Sequence, residues 1–338
     1  MSRPKLRVAL LSFWHVHAKD YAKQAMEHPD TELAAVWDEL PERGRQEAAA
    51  RGVPFVEKLD DVLDDPAIDG VIVTTATINH PDIMIAAAKA GKHIFTEKVI
   101  AITVQDCSRI MEAVDEAGVT LTVSLPRLNT PFTQGALGLI ASGMLGELTM
   151  VRARLAHSGA LPCEASPLGY LPSHFFNLEQ TGGGALIDLG CHPMYTVRLL
   201  LGMPQSLYAS FGYVTGKEVE DNAVVTLNYN NGAIGIVEAA FVNSASPFTL
   251  ELHGTMGSAL YSAKDAKFMY KSAQLRGELA KQWHEYELPA ALPSSFEQWA
   301  SHILNGTKAE QNVSIALELT SLMEAAAKSA RAGQAIHI

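Results

Sequence analysis

The sequence predicts an α/β N-terminal half built on a doubly wound parallel sheet, followed by an α+β C-terminal half with a large, mainly antiparallel open sheet. Three observations carry this. Over the first 125 residues, short apolar strands alternate with helical segments, the pattern of βαβ units. The run Gly70-Val-Ile-Val-Thr-Thr75 is almost wholly apolar, as a strand buried on both faces requires. Beyond residue 148 the strands lengthen, alternate in polarity and are joined by tight turns, which marks antiparallel pairing. At 338 residues the chain exceeds one ordinary core, so two domains are expected, 1–125 and 126–338.

The elements follow in order. Leu6 to Ser12 reads as a strand, His17 to Glu27 as a helix, and Glu32 to Trp37 as a second strand ending at Asp38. After the Gly70 strand, a helix from Pro81 to Ala90 stops at Gly91, a suitable residue just past a helix end. His93–Thr96 and Thr120–Ser124 are strands with a helix over Val104–Ala117 between them. Pro126 and Pro131 bracket a connection, followed by a helix ending near Gly143 and a strand over Leu148–Leu155. From His157 to Gly184 runs a Pro-, Ser- and Gly-rich stretch with little periodicity, the character of a substrate lid or binding loop. Asn230-Asn231-Gly232 is a strong hairpin turn between Asn222–Tyr229 and Ala233–Val242, and Thr255-Met256-Gly257 joins two more strands. Gly216 to Asp221 reads as a further turn, and helices near Ser294–Leu304 and Ser314–Ala332 close the chain. The helices are too few to cover both faces of so broad a sheet, so its spare face is a candidate dimer surface.

Composition narrows the function. Hydrophobic residues make up 48% and charged residues 19%, which suits a well-buried enzyme, and the net charge of -11 argues against nucleic acid or an anionic membrane as partner. No segment approaches a membrane span. Cys107, Cys163 and Cys191 are odd in number and widely spaced, which reads as a reducing, cytoplasmic setting.

The chemistry concentrates in Gly182-Gly-Gly-Ala-Leu-Ile-Asp188-Leu-Gly190-Cys-His192. On a helix, Asp188 and His192 share one face a turn apart, with Tyr195 close behind. A carboxylate beside an imidazole can move a proton and polarise a hydroxyl; it can equally be a buried structural hydrogen bond. In the first half, ligands are expected at the carboxyl ends of the strands. There Ser12, Phe13, Trp14 and His15 stand where a dinucleotide fold carries G-x-G-x-x-G, without any glycine. Trp14, His15 and His17 read either as side-chain donors or as packing. Asp38 closes the second strand, where an acid accepts from an adenosine ribose or caps the next helix. Thr75, Ala76, Asn79 and His80 follow the third strand, and Glu97-Lys98 follows the fourth.

These pieces resemble the Gfo/Idh/MocA oxidoreductases over nearly the whole chain. The likeness rests on Ala90-Gly91-Lys92-His93-Ile94-Phe95-Thr96-Glu97-Lys98 and the Gly182–His192 segment, with Asp69-Gly-Val-Ile-Val-Thr and Gly143-Met-Leu-Gly146-Glu147 in the expected order. The resemblance implies a Rossmann-like first domain that binds NAD in preference to NADP, no metal, a sugar, polyol or cyclitol substrate, and a homodimer or homotetramer built through the C-terminal sheet. It further implies that Lys98 contacts substrate and cofactor, that Asp188 orients the substrate, that His192 is the acid/base and that Asp38 binds the ribose. Glu97 joins Ser12, Phe13, Trp14, His15, Thr75, Ala76, Asn79 and His80 as an expected cofactor neighbour. Arg127, His174, Asn177 and Tyr195 are expected substrate contacts.

Three departures stand out. The phosphate loop lacks its glycines, with Ser12 where the first would be. Val99 replaces the proline of the family's Glu-Lys-Pro motif; a cis bond before Val costs roughly 2.5–4 kcal/mol against about 0.5–1 before Pro. A trans Lys98–Val99 bond and a displaced Lys98 amine are therefore expected. Tyr195 stands where an acid is common in the family. Two other readings remain: a redox-neutral lyase or glycosidase using NAD transiently, and a non-catalytic nucleotide-binding regulator.

Overall fold

A computed structural model of the chain describes residues 5–164 and 166–338. It divides into two compact units, one of residues up to Ser124 together with Pro293–Leu317, the other of Leu125–Leu292 and Glu318–Ile338.

The first unit holds β1 (Leu6–Leu11), α1 (Ala18–Glu27), β2 (Thr31–Trp37), α2 (Pro41–Arg51), α3 (Leu59–Leu63), β3 (Gly70–Val73), α4 (His80–Lys89), β4 (His93–Thr96), α5 (Val104–Ala117) and β5 (Leu121–Val123). The strands form one parallel sheet in the order β2-β1-β3-β4-β5. Strand order reverses between β1 and β3, which makes their carboxyl ends the ligand-binding corner. The residues at that corner come from the loops after β1, β2, β3 and β4. All four residues of β3 are buried, in keeping with its unbroken apolar run.

The second unit begins with α6 (Pro131–Ala141) and β6 (Leu148–Ala156), then α7 (Leu178–Thr181), α8 (Cys191–Leu201) and β7 (Ser206–Gly212). Strands β8 (Asn222–Asn228), β9 (Ile234–Ala240), β10 (Thr249–Gly254), β11 (Gly257–Ser262), β12 (Lys267–Ser272), β13 (His284–Glu285) and β14 (Ile336–His337) complete a nine-stranded sheet, ordered β13-β12-β11-β10-β6-β9-β8-β7-β14. Every pairing is antiparallel except β6 with β9. Helix α8 packs on β6 and β9. The alternation of β6 buries Val151 and Ala153 and turns Arg152 and Arg154 outward, where both reach Glu238 on β9.

The chain ends with α9 (Ser295–Asn305) and α10 (Glu310–Ala332). The sequence reading assigns everything past 126 to the second domain; the structure corrects this for 293–317. Phe296 and Trp299 of α9, at 1% and 0% exposure, join Phe95, Tyr21 and Leu10 in the core of the first unit, with Phe95 ring centroids 5.6 and 5.9 Å away. Gly70 makes room for them, since a Cβ there would lie 2.9 Å from the Trp299 ring. Asn312 finishes the edge of the sheet: its side chain accepts from the Val123 N–H (2.8 Å) and donates to the Val123 carbonyl (2.9 Å). Backbone groups on a sheet edge are thereby satisfied without another strand.

Before the glycines lie two short helical turns, Ser173–Phe176 and Leu178–Thr181, with Phe175 and Phe176 buried. Phe176 belongs to an apolar cluster with Ala160, Ala185, Val219 and Phe241. Among the described residues, no helix is long and apolar enough to cross a membrane.

Candidate active site

The glycine-free loop after β1 takes the shape a glycine would give. Ser12 has φ +81, a left-handed conformation that costs a residue with a Cβ roughly 1–2 kcal/mol. The cost is met by bonds on every side: Ser12 N–H donates to the Trp37 carbonyl (2.7 Å), the Thr74 hydroxyl to the Ser12 carbonyl (2.6 Å), and Trp14 N–H and the Arg43 guanidinium to Ser12 Oγ (3.0 and 3.2 Å). Phe13 N–H donates to Asp38 Oδ2 (2.8 Å) and His15 N–H to the Thr74 carbonyl (3.1 Å). Side-chain and backbone acceptors have taken over the role glycine usually plays here.

Asp38 is buried at 2% exposure. Besides Phe13 it accepts from Leu40 N–H (2.8 Å) and from Arg43 through Nε and a terminal nitrogen, both 2.8 Å. Arg43 also reaches Glu39 (2.8 Å). A bidentate arginine–carboxylate pair is among the stronger ion pairs, so Asp38 acts here as the post that holds the loop and Arg43. Sequence reasoning missed Arg43, although an Arg five residues past the strand-ending acid is the available signal.

The loop after β4 is held as tightly. Glu97, 2% exposed, accepts from the Tyr21 hydroxyl and from Lys98 N–H (2.9 Å), and Tyr21 also meets Ser124 Oγ at 2.7 Å. Burial works to raise the Glu97 carboxyl, but the charges of His15, Lys98 and His17 with the Tyr21 hydroxyl overcome it and hold it below the usual carboxylate range. Burial and the neighbouring Glu97 in turn push the Tyr21 phenol well up. The Lys98–Val99 peptide is cis, which corrects the expected trans bond, and with it the premise for a displaced amine. The segment Glu97–Ala101 is buried, and His80 Nδ1 lies 3.2 and 3.3 Å from the carbonyls of Val99 and Ile100. His80 is itself buried at 1%, and that burial lowers its pKa despite the carbonyls. It therefore stays neutral and serves to position the loop. Thr75 and Ala76 are buried after β3, and Asn79 is exposed in a short turn over Thr77–Asn79.

In the second unit, Leu186–Gly190 forms a π-helical turn that runs into α8, where the sequence spacing predicts a plain α-helix. Such wide turns are frequent at functional sites. Gly190 sits against β9, and a Cβ there would lie 3.0 Å from Ala239. Asp188 and His192 are both half-buried on this element. His192 Nδ1 lies 3.0 Å from the Tyr195 hydroxyl, which also accepts from Arg127 N–H at 3.0 Å. Tyr195 is fully buried, so its phenol holds the imidazole rather than reaching outward. The Arg127 guanidinium stacks over Phe248, 4.2 Å from the ring centroid, and burial lowers its pKa.

Two residues outside the expected set complete this arrangement. Glu220, 3% exposed, accepts from Gly184 N–H and Leu186 N–H, both 2.9 Å, and so grips the turn just before Asp188. Burial raises its carboxyl above the ordinary value. His157 stacks on Phe241 (5.2 Å, 12°) and its Nδ1 accepts from Gly159 N–H (3.0 Å). Burial lowers its pKa while the Asp188 charge opposes, leaving a neutral imidazole within the field of Asp188. Of the expected substrate contacts, Asn177 uses its side chain to cap α7 through Gln180 N–H (2.9 Å), and His174 packs on Phe175 at 5.2 Å.

The three glycines are unequal. A Cβ on Gly184 would fall 2.0 Å from the Glu220 carbonyl, whereas one on Gly183 would meet Ile187 at 3.3 Å. Gly184→Ala is expected to destabilise by about 1–3 kcal/mol or more through forced backbone movement, and Gly183→Ala by under about 1 kcal/mol. Urea unfolding of the two variants checks the contrast.

A parallel sheet with a dinucleotide-type loop, and an acid–imidazole pair on a separate rigid element, define the class of dinucleotide-dependent oxidoreductases. Comparison with known families places the chain within that class. Residues 13–125 match the oxidoreductase family described as an NAD-binding Rossmann fold, and residues 133–260 match the GFO/IDH/MocA C-terminal domain. The chain belongs to the Gfo/Idh/MocA family of oxidoreductases, and its first unit is an NAD-binding domain. It is 29% identical over 251 residues to 1,5-anhydro-D-fructose reductase of Ensifer adhaerens, covering 72% of each chain. It is 29% identical over 255 residues to scyllo-inositol 2-dehydrogenase (NAD(+)) of Bacillus subtilis (strain 168), covering 72% of this chain and 69% of that one. Among solved structures, levoglucosan dehydrogenase in complex with NADH and L-sorbose shares the fold with a TM-score of 0.84, at 22% identity and 99% coverage of both chains.

Proposed function

We propose that this oxidoreductase transfers hydride between NAD and a hydroxyl or carbonyl carbon of a sugar, polyol or cyclitol. The observation that carries the reading is His192, aimed by the buried Tyr195 hydroxyl one turn from Asp188, in a chain whose relatives are named for anhydro-sugar and inositol chemistry. The first unit suits the cofactor: at the carboxyl end of β3 the buried Thr75 hydroxyl has no partner within the protein, a polar atom ready for a ligand. Bound nicotinamide supplies the hydride acceptor. In the oxidising direction Lys98 polarises the reacting C–O group, His192 takes the hydroxyl proton, and Asp188 holds the hydroxyl or its neighbour. Loss of hydride and proton together leaves the carbonyl product, so the balance closes without another reactant. Arg127 contributes a fixed positive charge for substrate oxygens.

At the ribose corner Asp38 and Glu39 outnumber Arg43. A 2′-phosphate would meet net negative charge there, which supports NAD over NADP. The outward face of the nine-stranded sheet, with Tyr208, Val224 and Leu260 exposed, supports assembly into a homodimer or homotetramer, which sedimentation equilibrium tests. The three free cysteines support a reducing, cytoplasmic setting; a fractionation that recovers the protein outside the cytoplasm would refute it.

The direct test is NADH absorbance with a panel of inositols, aldoses and anhydro-sugars. At least one should give net NADH, faster with NAD than with NADP. Substrate consumption without net NADH would move the assignment to redox-neutral chemistry.

Tyr195→Phe tests the aim of the imidazole. Loss of one neutral hydrogen bond is about 0.5–1.5 kcal/mol, so kcat should fall roughly two- to tenfold. KM should stay unchanged, and the pH–rate limb of His192 should move. An unaltered pH profile would show that the phenol is only structural.

A further inference from the structure

We infer that His15, His17 and Glu97 form a binding site for one divalent transition-metal ion of the zinc class, at the carboxyl ends of β1 and β4. One ring nitrogen of each histidine and a carboxylate oxygen of Glu97 all lie within 4.8 Å of one another. His15 Nδ1 stands 3.6 Å from Glu97 Oε1, too far for a hydrogen bond. Two ligands at bond lengths of ~2.0–2.1 Å around a tetrahedral ion lie roughly 3.3 Å apart, so this gap closes onto an ion with a shift of tenths of an ångström. Two imidazoles and one carboxylate are a donor set that zinc favours, with positions left open.

The surroundings prepare each donor. His15 Nδ1 accepts from His17 N–H at 3.2 Å; an ion would replace that long bond with a stronger one. Glu97 is oriented by the Tyr21 hydroxyl and by Lys98 N–H. His17 Nδ1 lies 3.4 Å from Asp20 Oδ2, the outer carboxylate that commonly steadies a ligating imidazole. The rings of His15 and His17 are 5.1 Å apart, tilted by 38°.

A reason for an ion here lies in the loop itself. In a glycine-rich loop, backbone N–H groups meet the pyrophosphate. In this chain the N–H groups of Ser12, Phe13, Trp14 and His15 all donate within the protein. Positive charge for a phosphate must therefore come from elsewhere, and an ion on these three side chains supplies it. That role rests on the NAD reading; the binding of the ion does not.

The test uses the full chain without a polyhistidine tag, stripped with chelator and titrated with Co²⁺, then with Zn²⁺. The expected result is about one Co²⁺ retained per chain on dialysis, with the visible absorption of a low-coordinate site, displaced by Zn²⁺. His17 is half exposed, so His17→Ala should fold normally, and retention should fall at least about tenfold. A wild type that retains no metal, or a His17→Ala protein that retains it fully with unchanged absorption, overturns the site. NADH titration of the stripped protein in parallel tests the cofactor reading separately.

Discussion

His192→Ala should lower kcat by about 10²–10⁴, the usual cost of removing a positioned proton-transfer group. The fold should survive. His192 is half-buried on a helix, and Tyr195 beside it keeps the Arg127 N–H bond when the imidazole is gone. Thermal unfolding should shift little, NADH binding should persist, and the acidic limb of the pH–rate profile should disappear. Steady-state rates on the best substrate of the panel, with circular dichroism on the same preparation, check all three. An alanine variant that keeps most of its turnover would remove His192 from the reaction.

Lys98→Met should cost roughly 10²–10³ in kcat, the magnitude typical of losing one preorganised donor at developing charge. Methionine matches the length and fills the same buried space, so the fold should survive. A second consequence follows from Glu97. Its carboxyl is kept low by His15 first and Lys98 next, so removing the ammonium should raise that carboxyl. A group with a depressed folded-state pKa stabilises the protein above its unfolded pKa, and that contribution is lost as pH falls through the folded value. With the depression reduced, Lys98→Met should lose less stability than wild type as pH falls below the unfolded carboxylate value, giving a shallower acid limb. Urea midpoints from pH 7 down to pH 3 read this directly; superimposable curves would show that the two charges do not interact.

Much of the first sheet was legible because buried parallel strands need apolar runs: β3 is one throughout, and β1 has one after Arg7. Asp188 and His192 were legible because a carboxylate and imidazole four apart are visible in any alignment of letters with a helical period. The hairpin at Asn230–Gly232 was legible for the same local reason. Helices α2 and α3 escaped because they are polar and mark no amphipathic stripe. Glu220 and His157 escaped because nothing local links them to Asp188, 32 and 31 residues away in the chain.

The amino-acid order by itself determined where the strands of the first sheet and the amphipathic helices form, which acid and base share an element, and which side chains stand where glycines usually do. Those are short-range matters of period, backbone preference and turn chemistry. Only the tertiary structure decided that 293–317 returns to the first sheet, that Ser12 adopts a glycine conformation, that Asp38 is bound by Arg43 and that the Lys98–Val99 bond is cis. For the first two the deciding partners are distant in sequence: an aromatic core around Phe95 and the carbonyl of Trp37. A left-handed cost of about 1–2 kcal/mol at Ser12 yields when several such contacts act on one residue.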